Sequence, residues 1–186
     1  MRWKPKPFSH RHARGFMLVA MPVTKPLITL RTQPKQADVA AVRTITADTG
    51  YFSADEVEVA VELIEDRLTK GDGSEYEFIF ADLDGTTVGY ASFGEIACTD
   101  GSYDLYWIAV HPNQQSAGIG RRLLDKTERL VKAAGGRRIY VETSSRDQYQ
   151  PTRDFYLRCA YRVDADQADF YAPGDGKVTL VKSVNG

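Results

Sequence analysis

The chain has 186 residues, 42% of them hydrophobic, which is enough to bury one core of ordinary size and too little for two. Its 24 Lys and Arg residues nearly cancel its 25 Asp and Glu residues, so overall charge does not steer the chain to nucleic acid or to acidic membranes. Two cysteines, Cys98 and Cys159, are too few for a disulfide framework and lack metal-ligand spacing, which favours a reduced, cytoplasmic setting and no bound metal.

The first 25 residues are basic and contain no Asp or Glu. Their apolar stretch, residues 16–21, is too short to span a bilayer, and Pro22 stands where a secretory cleavage site would need small residues. We expect residues 1–26 to be a disordered extension, with an arm that binds RNA or an anionic lipid as the alternative. The folded domain is then expected over residues 27–186.

The domain begins with a short alternating segment and two helical patterns. Residues 27–31 alternate apolar and polar side chains, which predicts a strand, and residues 34–49 have the apolar spacing of a helix. Ser53 and Glu56 have the spacing of a capping box, so a second helix is predicted to start there and to end at Gly71.

The pattern then changes to strands. Residues 76–82, 87–96 and 103–110 are rich in aromatic and β-branched side chains and are separated by short Gly-containing turns, which predicts an antiparallel meander. A helix over 118–134 and a strand over 139–143 follow, and a strand, helix and strand this close together predict a parallel crossover.

A helix at 151–159 and strands near 161–171 and 177–183 complete the order βααβββαβαββ. This order predicts an α/β domain in which a mixed sheet carries helices on both faces.

The turn between residue 110 and the helix at 118 has the composition of an anion site. The first amides of a helix are unpaired and carry a partial positive charge, and Gly118 and Gly120 let the backbone approach a ligand closely. Arg121 and Arg122 follow, with side chains able to reach further phosphates. Neither a Gly-x-Gly-x-x-Gly after the first strand nor a Gly-x-x-x-x-Gly-Lys-Ser/Thr occurs, which disfavours both nucleotide-binding motifs.

Gln115, Gly118 and Gly120 fill the Gln/Arg-x-x-Gly-x-Gly/Ala turn, and this segment resembles the GCN5-related N-acetyltransferase (GNAT) family. The resemblance extends upstream through 108–112, downstream through 123–124, and to the element order over 27–183. It implies a mixed sheet that splays between its fourth and fifth strands, acetyl-CoA as the acyl donor, and an enzyme that is often a homodimer.

The resemblance also implies which groups hold acetyl-CoA. Main-chain groups of Ile108 and Val110 are implied to bind pantetheine. Backbone N–H groups of the turn are implied to bind the diphosphate, namely those of Gln115, Ser116, Ala117, Gly118, Ile119, Gly120 and Arg121. Ser116 stands where family members often have glycine.

An acid candidate lies in the segment Phe155-Tyr156-x-x-x-Ala160-Tyr161, which resembles the Phe-Tyr-x-x-x-Gly-Phe segment of the family. Tyr156 is therefore the expected general acid for the departing thiolate, with an ordinary core tyrosine as the alternative. Ala160 and Tyr161 are expected to be conservative replacements.

Two carboxylates compete as the general base. Asp104 matches the offset of a catalytic glutamate that some family members carry on the fourth strand, and alternation predicts that it shares a face with Tyr106, Ile108 and Val110. Glu142 lies on the neighbouring predicted strand, where its alternative role is an ion pair with an arginine. The residues alone do not decide between them, and a water chain is a third possibility.

By resemblance, the last hairpin borders the acceptor pocket, so Tyr171 and Asp175 are expected to contact a cationic substrate. The function predicted is transfer of an acetyl group from acetyl-CoA to a primary amine of a small molecule, peptide or protein by direct attack in a ternary complex. The alternatives are a non-catalytic acyl-CoA sensor and an acetyltransferase with an RNA-associated acceptor.

Overall fold

The computed structural model describes residues 27–115 and 117–185, so the predicted basic extension, Ser116 and Gly186 lie outside the described residues. The described part contains seven strands and four helices, in the order predicted from the sequence. Their bounds are β1 Ile28–Arg31, α1 Asp38–Asp48, α2 Ala54–Lys70, β2 Glu77–Leu83, β3 Thr86–Glu95, β4 Ser102–Val110, α3 Ile119–Ala133, β5 Arg138–Ser144, α4 Gln150–Arg158, β6 Arg162–Ala172 and β7 Asp175–Ser183. No helix within these residues is long and apolar enough to cross a membrane.

The strands form one mixed sheet in the order β1-β2-β3-β4-β5-β7-β6. β4 and β5 are parallel, and every other neighbouring pair is antiparallel, which confirms the predicted meander and crossover. Pairing between β4 and β5 ends at Asp104 and Tyr140, although the strands run on to Val110 and Ser144. The sheet is therefore splayed between its fourth and fifth strands, as the resemblance implied.

Helices cover both faces of the sheet. α1 and α2 pack on one face, where their apolar side chains meet Phe78, Phe80 and Tyr90. The apolar side of α3 packs on the other face together with α4, where Leu123 and Tyr156 belong to a second core. The capping box of α2 forms as predicted: the Ser53 side chain accepts from the Glu56 amide, and the Glu56 carboxylate accepts from the Ser53 amide.

Tyr106 forms a β-bulge in β4. Ser92 of β3 pairs with Trp107, but the next residue, Phe93, pairs with Leu105, so Tyr106 has no pairing partner in β3. Such an extra residue bends a strand and interrupts the alternation of its side chains.

The bulge moves the side chains of β4 relative to the sequence prediction. Tyr106 packs with the α1–α2 core, whereas Ile108 and Val110 pack with the α3–α4 core. Asp104, two residues before Tyr106, lies on the α1–α2 face. The prediction that Asp104 shares a face with Ile108 and Val110 is wrong, because alternation holds only along an unbulged strand.

Candidate active site

The splay opens into a cleft of about 1040 Å³. Most of the residues singled out from the sequence line it. They are Asp104, Ile108, Val110, Gln115, Gly118, Ile119, Gly120, Arg121, Glu142, Tyr156, Tyr171 and Asp175. Ala117 does not line the cleft, and nothing is described for Ser116.

The edge of β4 presents main-chain groups to the cleft. The amide of His111 donates to the carbonyl of Val88 (2.9 Å), which places residue 111 and, by alternation, residues 109 and 107 toward β3. Ile108 and Val110 therefore turn their N–H and C=O groups toward the gap. The Gln115 side chain donates to the Val110 carbonyl there (3.3 Å).

The first turn of α3 supplies unpaired amides. The first helical hydrogen bond runs from the Arg122 amide to the Gly118 carbonyl (3.1 Å), so the amides of Ile119, Gly120 and Arg121 precede it. These donors and the positive end of the helix dipole face the cleft that the three residues line. By contrast, the Gln115 amide is already used, since it donates to the Pro112 carbonyl (3.3 Å).

The two glycines of this turn serve different purposes. Gly118 has φ +76°, a left-handed conformation that disfavours any side chain. A Cβ on Gly120 would lie 3.8 Å from the Phe155 ring and 4.0 Å from Val110, which are ordinary contacts. Packing therefore accepts a side chain at residue 120, and its absence leaves room in the cleft for a ligand.

The two arginines of the turn have different partners. Arg121 lines the cleft and pairs with Asp125 (Nε–Oδ1 2.7 Å), whereas Arg122 donates to the carbonyl of Ile28 (2.8 Å) and does not line the cleft. Arg146 and Arg158, the latter at the end of α4, are further cleft-lining arginines that the sequence did not single out. One arginine of the predicted pair therefore ties β1 to α3 instead of facing a ligand.

Tyr156 reaches the cleft from α4, on the α3–α4 face of the sheet. Its ring is buried and makes edge contacts with Phe155 (5.2 Å) and Tyr161 (5.4 Å). Burial raises the pKa of Tyr156, and the nearby Cys159 thiol acts in the same direction. The phenol is therefore protonated at neutral pH and is able to donate a proton.

Asp104 reaches the cleft from the opposite face of the sheet. The pKa of this half-buried carboxyl is raised by burial and by the charge of Glu142, against the opposing charge of Lys177. Within residues 27–115 and 117–185, no hydrogen bond or ion pair engages its carboxylate. A carboxylate of raised pKa without a partner is suited to accept a proton.

The rival carboxylate has a partner. Glu142 forms an ion pair with Lys177 (2.9 Å), where an arginine was expected as the alternative. The Lys177 ammonium also lies 4.1 Å over the Phe170 ring, and its side chain is 14% exposed. Asp175 is similarly engaged, because it pairs with Arg146 (3.1 Å) and accepts from the Ser144 hydroxyl.

The turn between α1 and α2 closes one end of the cleft, which sequence reasoning missed. Tyr51 and Phe52 line the cleft from this turn, and Glu56 lines it from the first turn of α2. The Tyr149 hydroxyl donates to the Tyr51 carbonyl (2.6 Å) across the cleft, and the two rings make an edge contact at 5.4 Å. Tyr149 therefore ties two distant segments together. Two aromatic residues directly before a capping box were the available signal.

Comparison with known proteins gives a consistent result. The model of the acetyltransferase (GNAT) family matches residues 40–161. No curated protein sequence matches the chain. A GNAT-family protein from Desulfovibrio desulfuricans is 39% identical, with 85% of this chain and 99% of that chain covered and a TM-score of 0.83.

Two further solved structures share the fold at low identity. The ribosomal-protein-S18-alanine N-acetyltransferase of Escherichia coli is 15% identical, with 85% of this chain and 94% of that chain covered and a TM-score of 0.68. An acetyltransferase of Salmonella typhimurium, solved with its cofactor acetyl-CoA, is 20% identical, with 86% and 95% covered and a TM-score of 0.68.

Proposed function

Because this chain belongs to the GNAT family of acetyltransferases, we propose that it transfers the acetyl group of acetyl-CoA to a primary amine of a small molecule, peptide or protein. One observation carries the proposal: the gap between β4 and β5 has helix N-terminal amides at one end and, on its two faces, an unpaired carboxylate and a protonated phenol.

The donor end of the cleft fits acetyl-CoA. The amides of Ile119, Gly120 and Arg121 suit a diphosphate, and the guanidinium groups of Arg121 and Arg158 add positive charge beside it. An extended pantetheine arm fits along the free edge of β4, where it takes the place of the missing strand partner. The thioester then lies between Asp104 and Tyr156.

The chemistry follows from the two faces. Asp104 removes a proton from the acceptor ammonium, and the freed nitrogen attacks the thioester carbonyl carbon, so that an N–C bond forms. The tetrahedral adduct loses its second N–H proton to solvent and breaks its C–S bond. Tyr156 protonates the departing thiolate and regains its proton from solvent. Asp104 then releases its proton to solvent, and the products are the acetylated amine, free CoA and one proton overall.

Direct attack is favoured over a covalent acetyl-enzyme. Cys98 is exposed beyond the end of β3, and Cys159 is buried at the end of α4; neither lines the cleft. Thiolate attack on the thioester is the usual way to form such an intermediate. This favours attack within a ternary complex in which donor and acceptor are bound together.

Purified protein tests the proposal. Incubation with acetyl-CoA and a panel of primary amines is expected to release free CoA in an amine-dependent manner and to give products heavier by one acetyl group in the mass spectrum. Tight acetyl-CoA binding without turnover on any amine would contradict the proposal and support the acyl-CoA sensor. Three expectations stay predictions: the cytoplasmic setting, a homodimer and an RNA-binding arm. The arm would lie in residues 1–26, which are outside the described residues.

A further inference from the structure

The acceptor end of the cleft is walled by aromatic rings. These rings come from the α1–α2 turn, the bulged part of β4, the segment before α4 and the β6–β7 hairpin. They belong to Tyr51, Phe52, Tyr106, Trp107, Tyr149 and Tyr171. Rings of this kind offer flat apolar surface and favourable contacts to a cation over their faces.

Contacts between elements hold this wall in place. Phe52 lies 6.2 Å from Trp107, and Tyr51 makes an edge contact with Tyr149, whose hydroxyl donates to the Tyr51 carbonyl. The tie joins residues 98 positions apart and closes the cleft at the α1–α2 turn. The rings at this end are therefore positioned by contacts between segments that are distant in the sequence.

Of the four carboxylates at the acceptor end, Asp104 and Glu56 carry a charge that no cation of the described residues neutralises. Glu142 is neutralised by Lys177, and Asp175 by Arg146. Glu56 accepts from the Ser53 amide in the capping box of α2. Within the described residues, Asp104 is then the carboxylate of this end that no side chain or amide engages.

On the basis of the proposed acetyl transfer, we infer that the acceptor is a primary amine whose amino group is carried on an aromatic ring by a short alkyl link. Its ammonium group meets Asp104 at the β4 edge, and its ring packs among Trp107, Tyr149 and Tyr171.

Matched amines test the inference on the full chain with acetyl-CoA. We expect kcat/KM for 2-phenylethylamine to exceed that for n-butylamine, spermidine, kanamycin and an unblocked non-aromatic tripeptide by about tenfold or more, since each of these lacks the ring that contacts the aromatic wall. Equal rates for 2-phenylethylamine and n-butylamine, or a higher rate for spermidine, kanamycin or the tripeptide, would overturn the inference while leaving acetyl transfer intact.

A pair of variants separates pocket contacts from general effects. Tyr171 and Phe170 are adjacent, both about half exposed, but only Tyr171 lines the cleft. Tyr171→Leu is expected to reduce the preference for 2-phenylethylamine over n-butylamine several-fold, and Phe170→Leu is expected to leave it unchanged. Equal losses in the two variants, or no loss in Tyr171→Leu, would count against the assigned pocket.

Binding without turnover distinguishes the two proposals. Stabilisation of the chain by 2-phenylethylamine in the presence of CoA, read as a thermal shift that n-butylamine does not give, supports the acceptor class even if no amine is acetylated. In that case the proposed transfer fails and the ligand assignment stands. Absence of both turnover and this selective shift overturns the acceptor inference as well.

Discussion

The two ends of the cleft are built in different ways. The donor end is formed mainly by main-chain groups of β4 and of the first turn of α3, whereas the acceptor end is formed by side chains from several separate segments. A backbone site depends on torsion angles and on open space, so few of its side chains matter. A side-chain site depends on each residue that lines it. Substitutions at the two ends should therefore fail in distinguishable ways.

The largest effect is expected from Asp104→Asn at the acceptor end. Loss of a general base typically lowers kcat by about 10²–10⁴-fold, and acetyl-CoA binding should be unchanged because the donor end is untouched. Steady-state kinetics together with acetyl-CoA titration measure both. Glu142→Gln is the matched control, and we expect a loss of only a few fold because Glu142 is paired with Lys177.

The pH dependence sharpens the assignment of Asp104. Its pKa is raised above the ordinary value of 3.8, and the base acts only when deprotonated, so kcat at saturating amine should rise with pH through that raised pKa. Lys177→Met should move this limb to higher pH, because Lys177 lowers the pKa of Asp104. An unchanged limb in both Asp104→Asn and Lys177→Met would exclude Asp104 as the base.

The raised pKa of Asp104 also predicts how Asp104→Asn changes the stability of the fold. A carboxyl whose pKa is raised by folding favours the protonated form, so its contribution to stability decreases as pH rises through its titration. At neutral pH, Asp104→Asn removes this unfavourable charge. The variant should therefore melt at the same or a higher temperature while it loses activity, which a structural role for the carboxylate would not produce.

Tyr156→Phe should have the next largest effect. A thiolate is a fairly good leaving group, with a thiol pKa of about 8.5, so we expect kcat to fall by roughly 10–10²-fold, less than for loss of the base. Tyr161→Phe is the control, because this neighbouring buried tyrosine does not line the cleft and its hydroxyl has no hydrogen-bond partner among the described residues. Comparable losses of kcat in the two variants would mean that Tyr156 acts through packing.

At the donor end, Gly120→Ala should weaken acetyl-CoA binding without affecting stability. The new Cβ meets Phe155 and Val110 at ordinary distances, but it occupies space beside the helix amides, and we expect KM for acetyl-CoA to rise by about tenfold with kcat little changed. Gly118→Ala provides the contrast, because its φ of +76° should cost about 1–2 kcal/mol of stability. Calorimetry and kinetics on the pair distinguish lost space from strain, and a normal KM in Gly120→Ala would contradict the assigned diphosphate site.

The same contrast explains what the sequence could predict. Element order and the glycine turn follow from local periodicity and from a contiguous motif, and both are confirmed by the fold. The bulge at Tyr106 has no local signal, because it arises from how β3 and β4 align. It places Asp104 on the face of the sheet opposite to Ile108 and Val110, contrary to the prediction. The tie from Tyr149 to Tyr51 and the ion pair of Glu142 with Lys177 join residues distant in sequence, so only the folded chain reveals them.

The smallest effect is expected from Ala160→Gly, just after the helix that carries Tyr156. Ala160 has φ +66°, so the residue that replaces the family's glycine holds a left-handed conformation, which costs about 1–2 kcal/mol. Glycine relieves this strain, but it costs roughly 0.4–1 kcal/mol of stability because it gives the unfolded chain more conformational freedom. The net gain in stability is then about 0.5–1 kcal/mol. The melting temperature should then rise by roughly 1–4 °C, with kcat unchanged because Ala160 does not line the cleft. Ala133→Gly, at the exposed end of α3 with helical backbone, should instead lower it. A fall in both variants would show that the methyl group of Ala160 contributes contacts that outweigh its strain.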